Sequence, residues 1–301
     1  MNTSVDIAGV ILKNPVMTAS GTFGSGMEYS EFTDLERLGA VVTKGVASVP
    51  WAGNDVPRVA ETPSGMMNAI GLQNPGIDTF VSRDLPFLEK FDTKVIVNVC
   101  GHSEEEYCEV VSRLAEEKRV DLLEINISCP NVKEGGIAFG QDPKAAFSMT
   151  KAVKKYARQP VIMKLSPNVT DIAEMARAVE EGGADAVSLI NTLTGMKIDV
   201  DRRMFVLANR TGGVSGPAIH PIAVRMVYQA AHAVKIPVIG MGGIASAYDA
   251  LEMIMAGATA VAVGTANFRD PSVTGKIVLG IEEYMKRSGV EDIRSLNGCV
   301  G

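Results

Sequence analysis

Cys129 is the residue of this chain whose type and neighbours most directly suggest chemistry. It lies in the segment INISCPNV, where Pro130 cannot continue a β-ladder, so the chain must turn and can present the thiol. A thiol with an ordinary pKa of about 8.5 needs only modest tuning to act as a general base or a nucleophile. No histidine lies nearby in the sequence, and a buried packing thiol is the alternative.

Two lysines and several asparagines form a second candidate group. Lys44 and Lys164 each stand near the end of a short apolar run, in AVVTKGV and PVIMKLS. A buried lysine could form a Schiff base with a carbonyl substrate. It could instead neutralise a phosphate or an electron-rich ring. The accompanying asparagines favour this second use, because an amide both donates to and accepts from the edge of a flavin or a pyrimidine.

Glycine is enriched, with 30 residues in 301, and two glycine-rich runs stand late in the chain, VIGMGGIAS and VAVGTANF. Glycine where a helix begins exposes backbone N–H groups, which bind an anion together with the helix dipole. GMGGIA also matches the dinucleotide pattern G-x-G-x-x-A, but it comes late and lacks a second half of a Rossmann unit. The runs therefore predict a binding site for a monophosphate group.

Eight short runs of β-branched residues are available to position these side chains. Their Val, Ile and Leu residues follow one another without polar alternation, which is typical of strands buried on both faces of a parallel sheet. Helical stretches separate them, for example residues 103–118, 171–182 and 247–257. The predicted strands are residues 14–20, 40–46, 94–99, 122–128, 160–166, 186–192, 237–243 and 260–266.

Eight strands alternating with helices, without a linker, predict one α/β domain over residues 1–301, a single (β/α)8 TIM barrel. A doubly wound sheet is the structural alternative. The long connections 47–93 and 193–236 are expected to form loops over the face where the strands end. Because the carboxyl ends of barrel strands converge on the active site, the polar residues there should share one pocket. These residues are Ser20, Lys44, Asn98, Asn126, Lys164, Asn191, Gly242, Gly243, Gly264 and Thr265.

Composition excludes several classes of function. The net charge of −6, from 35 acidic and 29 basic side chains, argues against general nucleic-acid binding. The four cysteines contain no C-x-x-C pair, so zinc and iron–sulfur spacing is absent and no metal is expected. The longest uncharged run, residues 253–268, is shorter than the roughly 20 residues that span a bilayer, and no signal peptide is recognisable. We therefore expect a cytoplasmic protein without a membrane role.

Several motifs together resemble class 1 dihydroorotate dehydrogenases. They are NISCPNV, NAIGLQNPG, the strand-end lysines Lys44 and Lys164, and IGMGGI, and the resemblance runs from about residue 5 to about residue 285. It implies an FMN-containing barrel that oxidises (S)-dihydroorotate to orotate in pyrimidine biosynthesis. By the family's pattern, Cys129 takes a proton from carbon 5 of the substrate, while a hydride passes from carbon 6 to the flavin.

The resemblance also indicates a subtype. The membrane-bound, quinone-linked class carries serine in place of Cys129 and an N-terminal membrane-associating extension, and neither is expected here. Fumarate-using homodimers typically read PNVPGKPQ after the cysteine, whereas this chain reads PNVKEGGIAFG, and NTLTGMKID resembles the NAD-linked type. That type implies a homodimer core in a heterotetramer, with a partner subunit that carries FAD and a 2Fe-2S cluster. The alternatives are the fumarate-dependent homodimer, a Schiff-base lyase or isomerase on a phosphorylated substrate, and a flavin-binding barrel without catalysis.

The resemblance finally implies contacts residue by residue. Dihydroorotate offers a carboxylate and two ring amides, which call for lysine, backbone N–H groups and asparagine amides. Lys164 at the pyrimidine edge of the flavin would stabilise negative charge on the reduced ring. The implied substrate contacts are Lys44, Asn68, Ala69, Ile70, Gly71, Leu72, Asn126, Asn191 and Thr192, with Asn131 as a further candidate. The implied FMN contacts are Ser20, Lys44, Gly45, Asn98, Asn126, Lys164, Ile190, Gly216, Gly242, Gly243, Gly264 and Thr265, the last four around the phosphate.

Overall fold

The structure is a computed structural model that describes residues 1–128 and 139–300. Its centre is a closed barrel of eight parallel strands, in which each strand pairs with the next barrel strand of the chain and the last pairs with the first. All eight predicted strands are confirmed, and the closure of the sheet excludes a doubly wound fold. The barrel strands are β1 (Val16–Thr18), β2 (Ala40–Val42), β3 (Lys94–Val99), β4 (Leu122–Asn126), β5 (Val161–Lys164), β6 (Ala186–Leu189), β7 (Val238–Met241) and β8 (Ala260–Val263).

In the part of the chain that the structure describes, six longer helices surround the strands, and side-chain caps fix where several of them begin. Ser103, Asp142, Asp171 and Ser246 each accept a hydrogen bond from a backbone amide of the first helical turn, which satisfies one of the N–H groups that lack a partner there. The three helices expected from the sequence are confirmed. The longer helices are α1 (Glu104–Leu114), α2 (Pro143–Lys154), α3 (Ile172–Glu181), α4 (His220–Ala231), α5 (Ala247–Met255) and α6 (Val273–Ser288).

Shorter helical segments fill the remaining connections. A helical stretch after β2 consists of Ile77–Thr79, a π-helical turn over Phe80–Asp84, and Leu85–Leu88. One turn, Ala266–Arg269, follows β8. Single 3₁₀ turns lie at Tyr29–Glu31, Leu35–Arg37, Pro217–Ile219 and Ile293–Leu296. Among the described residues, no helix combines the length and the apolar character needed to cross a membrane.

The two long connections form a second sheet, here called the lid sheet, on the side of the barrel where the strands end. Its middle pair joins Thr211–Ser215, from the connection after β6, to Gly65–Asn68, from the connection after β2. The sequence predicts loops over this face, but not that the loops pair with each other, because that pairing joins segments far apart in the chain. The strand order is Leu193–Met196, Thr211–Ser215, Gly65–Asn68 and Val59–Thr62, all antiparallel.

One hydrophobic cluster occupies the barrel and the layer between strands and helices. Every residue of β5 to β8 is buried, as expected for strands covered on both faces. An N-terminal hairpin, Val5–Ile7 with Val10–Leu12, adds Ile7 and Leu12 to the same cluster. The cluster extends from Val5 to Leu296, which supports the proposal that residues 1–301 form one domain.

Candidate active site at the barrel mouth

A cavity opens where β5, β6, β7, β8 and β1 end. About 560 Å³ of space there is filled by no protein atom, and this figure includes solvent that is open to the outside. Asn191 and Thr192, expected to contact the substrate, line it. So do eight of the twelve residues expected to contact FMN, namely Ser20, Lys164, Ile190, Gly216, Gly242, Gly243, Gly264 and Thr265.

Three glycine-containing turns meet at one side of this cavity and form a cradle of bare backbone. Gly243 has a φ of +71°, and a Cβ there would lie 2.8 Å from the carbonyl oxygen of Gly216. A Cβ on Gly242 would lie 2.7 Å from the Cβ of Ala223. At Gly264 the nearest atom to such a Cβ would be 3.5 Å away. Backbone that carries no side chains can bring its N–H groups close to the oxygens of a phosphate. This cradle is therefore suited to be the predicted phosphate-binding site.

Ser215 and His220 support the cradle, and the sequence analysis missed both. Thr265 Oγ1 donates to Ser215 Oγ over 2.7 Å, and Ser215 lines the cavity from the end of a lid strand. Nδ1 of the buried His220 lies 2.9 Å from the carbonyl oxygen of Gly242. The sequence signal that could have found them is their closeness to Gly216, a predicted contact.

His220 also belongs to a group of possible metal ligands. Its Nε2 atom lies 3.2 Å from the carboxylate of Glu252 and 4.0 Å from that of Asp249. Among residues 1–128 and 139–300, this is the group of histidine, cysteine or carboxylate side chains close enough to hold a metal ion. The hydrogen bond between His220 Nε2 and the Glu252 carboxylate accounts for the arrangement without a metal ion, and Asp249 and Glu252 are not part of the cavity lining.

A buried pair of opposite charges lies beneath the cavity. The Lys164 side chain is 5% exposed, and its Nζ donates to Ser20 Oγ over 2.8 Å. The same atom lies 3.9 Å from Oε1 of Glu124, whose side chain is 2% exposed. Glu124 also accepts from Asn98 Nδ2 at 2.7 Å and from Ser188 Oγ at 2.8 Å. The sequence analysis missed Glu124, because it reads there as one residue of an apolar strand.

Asn98 leaves one atom for a ligand. Its side chain is fully buried, and its Oδ1 has no hydrogen-bond partner among the described residues. A buried acceptor without a donor costs about 1–3 kcal/mol, so this atom calls for a donor that the described residues do not supply. A Cβ at Gly45 would lie 3.1 Å from this oxygen, which is a tight contact. The residues present therefore fit FMN, whose phosphate suits the cradle and whose ring edge carries a donor.

Two substrate-binding candidates are the ends of one hydrogen-bond chain. Asn191 Nδ2 donates to Ser128 Oγ over 2.6 Å, and Ser128 Oγ donates to Asn126 Oδ1 over 2.6 Å. The buried hydroxyl of Tyr107 donates to the carbonyl oxygen of Asn126, also over 2.6 Å. Ser128 was missed by the sequence analysis. Ser128, the middle residue of these hydrogen bonds, directly precedes Cys129 in the sequence, and Cys129, like Asn131, lies outside the described residues.

Lys44 lies in the segment between β2 and the lid. It is half-buried, and its backbone amide donates to the carbonyl oxygen of Gly24 over 2.8 Å. A Cβ on Gly21 would lie 3.7 Å from its Nζ, so the ammonium group extends towards the loop after β1. Lys44, Gly45, Asn98 and Asn126 are the four expected FMN contacts that do not line the cavity.

The predicted substrate loop, Asn68 to Leu72, continues from a lid strand. Asn54 holds it in place, since its Nδ2 donates to the carbonyl oxygen of Ala69 and its backbone amide to that of Ile70, each over 3.0 Å. The bend that follows places Gly71 and Leu72 at positive φ, +73° and +54°. None of the five loop residues is part of the described cavity lining.

The lid sheet nevertheless connects this loop with the cavity. Asn68 pairs with Gly213 of the neighbouring strand, and Gly213 lies directly against Thr192. A Cβ on Gly213 would lie 2.0 Å from Thr192 Oγ1. The position of Thr192 in the cavity therefore depends on the absence of a side chain at Gly213 of the lid sheet.

Gly213→Ala is expected to displace Thr192 and raise the KM for dihydroorotate, the substrate that the resemblance implies, about tenfold, while the content of the implied FMN stays unchanged. Steady-state kinetics and a flavin spectrum of the same preparation measure the two effects. Gly195→Ala is the matched control, because the new Cβ would meet Val214 of the lid and not Thr192. An equal rise in KM for both variants would show that general lid damage, not Thr192, is responsible.

The structure describes three of the four cysteines, and the role expected for Cys129 stays a prediction. Cys100 is buried and Cys299 is exposed near the end of the chain. Burial raises the pKa of the half-buried Cys108 thiol, and the charges of Glu104 and Glu105 raise it further. Cys108 therefore has little thiolate at neutral pH and serves as a control for Cys129.

The fold and this mouth define a class of protein, a (β/α)8 barrel with glycine-containing turns after its last two strands that fit a phosphate group and with buried polar groups beneath them. The chain belongs to the dihydroorotate dehydrogenase family, since the model of that family, described as "Dihydroorotate dehydrogenase", matches residues 2–285. The resemblance found in the sequence is therefore confirmed.

Curated relatives agree with the expected subtype. The chain is 71% identical over 300 residues to a protein of Lachnoclostridium phytofermentans, covering 100% of both chains. It is 59% identical to proteins of Alkaliphilus metalliredigens, covering 100% of this chain and 99% of the relative, and of Geobacter sulfurreducens, covering 99% and 97%. All three are named dihydroorotate dehydrogenase B (NAD(+)), catalytic subunit.

A solved structure confirms the fold. It is a crystal structure of DHODH from Eimeria tenella in complex with ferulenol, with a TM-score of 0.80 and 23% sequence identity. The alignment covers 99% of this chain and 88% of that one.

Proposed function

We propose that this chain oxidises (S)-dihydroorotate to orotate as the FMN-containing catalytic subunit of an NAD-linked dihydroorotate dehydrogenase. The observation that carries the proposal is one cavity that combines a backbone cradle with a buried ammonium group. The unpartnered acceptor of Asn98, which is not part of the cavity lining, supports it. The names of relatives at 57–71% identity support it.

The cofactor residues divide into two groups. The backbone of Gly242, Gly243, Gly264 and Thr265 binds the phosphate, while Ser215 and His220 hold two of these turns in place. Lys164 and Asn98 meet the ring edge, Lys164 as a cation and Asn98 as an acceptor. FMN, when bound, supplies a hydride acceptor for carbon 6 of the substrate.

The substrate residues orient dihydroorotate and move one proton. Asn126 and Asn191 offer amide groups to the ring. Ser128 hydrogen-bonds to both amides and so fixes their orientation before substrate binding. Lys44 and the backbone of the loop from Asn68 to Leu72 bind the carboxylate and ring amides, and Thr192 completes the set. Cys129 takes the proton from carbon 5 as a thiolate.

A separate subunit accepts the electrons in this proposal. The relatives are named as catalytic subunits, which supports a second polypeptide. We propose that this partner carries FAD and a 2Fe-2S cluster, and that two copies of the chain form the core of a heterotetramer in the cytoplasm.

The experiment is an anaerobic titration of the purified, FMN-supplied chain with dihydroorotate. We expect a flavin spectrum that dihydroorotate bleaches, with orotate formed in equal amount. A protein that binds no flavin would refute the proposal. A bound flavin that dihydroorotate does not bleach would show that the chain binds the cofactor without catalysing the oxidation.

The partner is tested by electron transfer to NAD⁺. The FMN-loaded chain alone is expected to reduce NAD⁺ slowly or not at all, because FMN in this cavity is the one redox group proposed for it. Co-expression with the partner subunit should give a complex with fast NAD⁺ reduction. Equal rates for the chain alone and the complex would contradict the two-subunit arrangement, and reduction of fumarate by the chain alone would favour the alternative subtype.

A further inference from the structure

We propose that Glu124 is a positioning residue for the flavin site. Its buried carboxylate balances the charge of Lys164 and fixes which way the amide of Asn98 faces. This inference rests on the proposed function, because it concerns the FMN that Lys164 and Asn98 contact.

Glu124 projects into the interior of the barrel. It stands on β4, and its carboxylate reaches Asn98 on β3, Lys164 on β5 and Ser188 on β6. β6 is not a neighbour of β4 in the barrel, so a side chain on β4 that reaches Ser188 must cross the space that the strands enclose. This places the carboxylate directly below the mouth, between the two residues proposed to meet the ring.

The pairing decides the net charge under the flavin. Each carboxylate oxygen of Glu124 accepts one hydrogen bond, and the Lys164 ammonium lies 3.9 Å away. A buried charge is costly without a partner, and the pair makes the local charge zero instead of +1. The other buried carboxylate among the described residues, Asp84, is held elsewhere by Arg83 and Ser25.

The same carboxylate selects the orientation of Asn98. An ionised carboxylate can only accept, so it must face the NH₂ group of the Asn98 amide. The Oδ1 atom is thereby turned away from Glu124 and left without a partner. FMN consequently meets an acceptor at Asn98, which is the group that a ring N–H requires.

Removing the charge of Glu124 should change the redox balance of bound FMN. In Glu124→Gln the volume and most hydrogen bonds are kept, but the positive charge of Lys164 is no longer balanced. The reduced cofactor is the more negative form, so we expect its affinity to rise about tenfold relative to the oxidised form, which is about 30 mV in the two-electron midpoint potential. A role limited to filling the barrel would not move this ratio.

The test is a reductive titration of the FMN-loaded full chain against a reference dye. Glu124→Gln should have a higher midpoint potential than the wild type. The control is Ser188→Ala, which removes one hydrogen bond to the same carboxylate without removing its charge, and its potential should stay at the wild-type value. An unchanged potential in Glu124→Gln, or an equal shift in Ser188→Ala, would overturn the inference.

A second pair of variants applies even where Glu124→Gln folds poorly. Lys164→Met alone leaves an unbalanced carboxylate and should lower the potential or expel FMN. Adding Glu124→Gln removes that carboxylate, so the double variant should recover FMN binding and a potential nearer the wild type. A double variant no better than Lys164→Met would contradict the coupling. Failure of the proposed function is distinguishable from failure of this inference. In the former case the wild type itself would bind no FMN, or dihydroorotate would not reduce its bound flavin.

Discussion

Cys129→Ala is expected to lose dihydroorotate oxidation by a factor of about 10² to 10⁴ and to keep its full FMN content. This range is the usual contribution of a positioned general base, and alanine has no proton acceptor. The side chains proposed to hold the cofactor are untouched by the change. Stopped-flow reduction of the flavin by dihydroorotate measures the loss directly, and the flavin spectrum measures the content.

Cys108→Ala is the matched control for this experiment. It removes the same chemical group from helix α1, where burial raises the pKa of the thiol. Its reduction rate should equal that of the wild type. Normal reduction by Cys129→Ala would remove Cys129 from the mechanism, and equal losses in both variants would point to a general need for thiols.

Cys129→Ser adds a test of the protonation state. A hydroxyl is a much weaker acid than a thiol, so we expect slow reduction at neutral pH and a rate that rises as the pH increases. Full activity at neutral pH in this variant would count against a thiolate base.

Gly243→Ala is expected to weaken FMN binding at least tenfold. The residue has a φ of +71°, which costs an alanine about 1–2 kcal/mol, and its Cβ would lie 2.8 Å from both the Gly216 carbonyl oxygen and the Cβ of His220. The new methyl group forces these neighbours to shift, and both belong to the cradle proposed for the phosphate. Fluorescence titration of the apoprotein with FMN measures the change in affinity.

Two further glycines separate strain from phosphate binding. Gly9→Ala has a similar backbone, with a φ of +87°, but nothing lies within 4 Å of its Cβ, so it should lose stability and keep its FMN affinity. Gly264→Ala adds a methyl group with no atom closer than 3.5 Å, so the fold should be unaffected while FMN affinity falls. Unchanged FMN affinity in both Gly243→Ala and Gly264→Ala would place the phosphate elsewhere.

The sequence by itself determined the barrel and the outline of its mouth. Runs such as VIV at residues 95–97 and AVAV at residues 260–263 are apolar without polar alternation, and a strand with that composition is stable only when both of its faces are covered. Polar residues at the ends of such strands, among them Ser20 and Lys164, could be assigned to one cavity because parallel strands end on the same side. Cys129 stood out through its neighbours, and its role stays a prediction.

Only the tertiary structure identified the residues that act by positioning other residues. Glu124 looks like any strand residue until the barrel closes and brings Lys164, Asn98 and Ser188 around its carboxylate. The contact of Gly213 with Thr192 exists because two distant connections pair as one sheet. Local sequence carries strand and cap signals, since these depend on residues a few positions apart. It carries no signal for contacts whose partners are fixed by the closure of the barrel and the register of the lid.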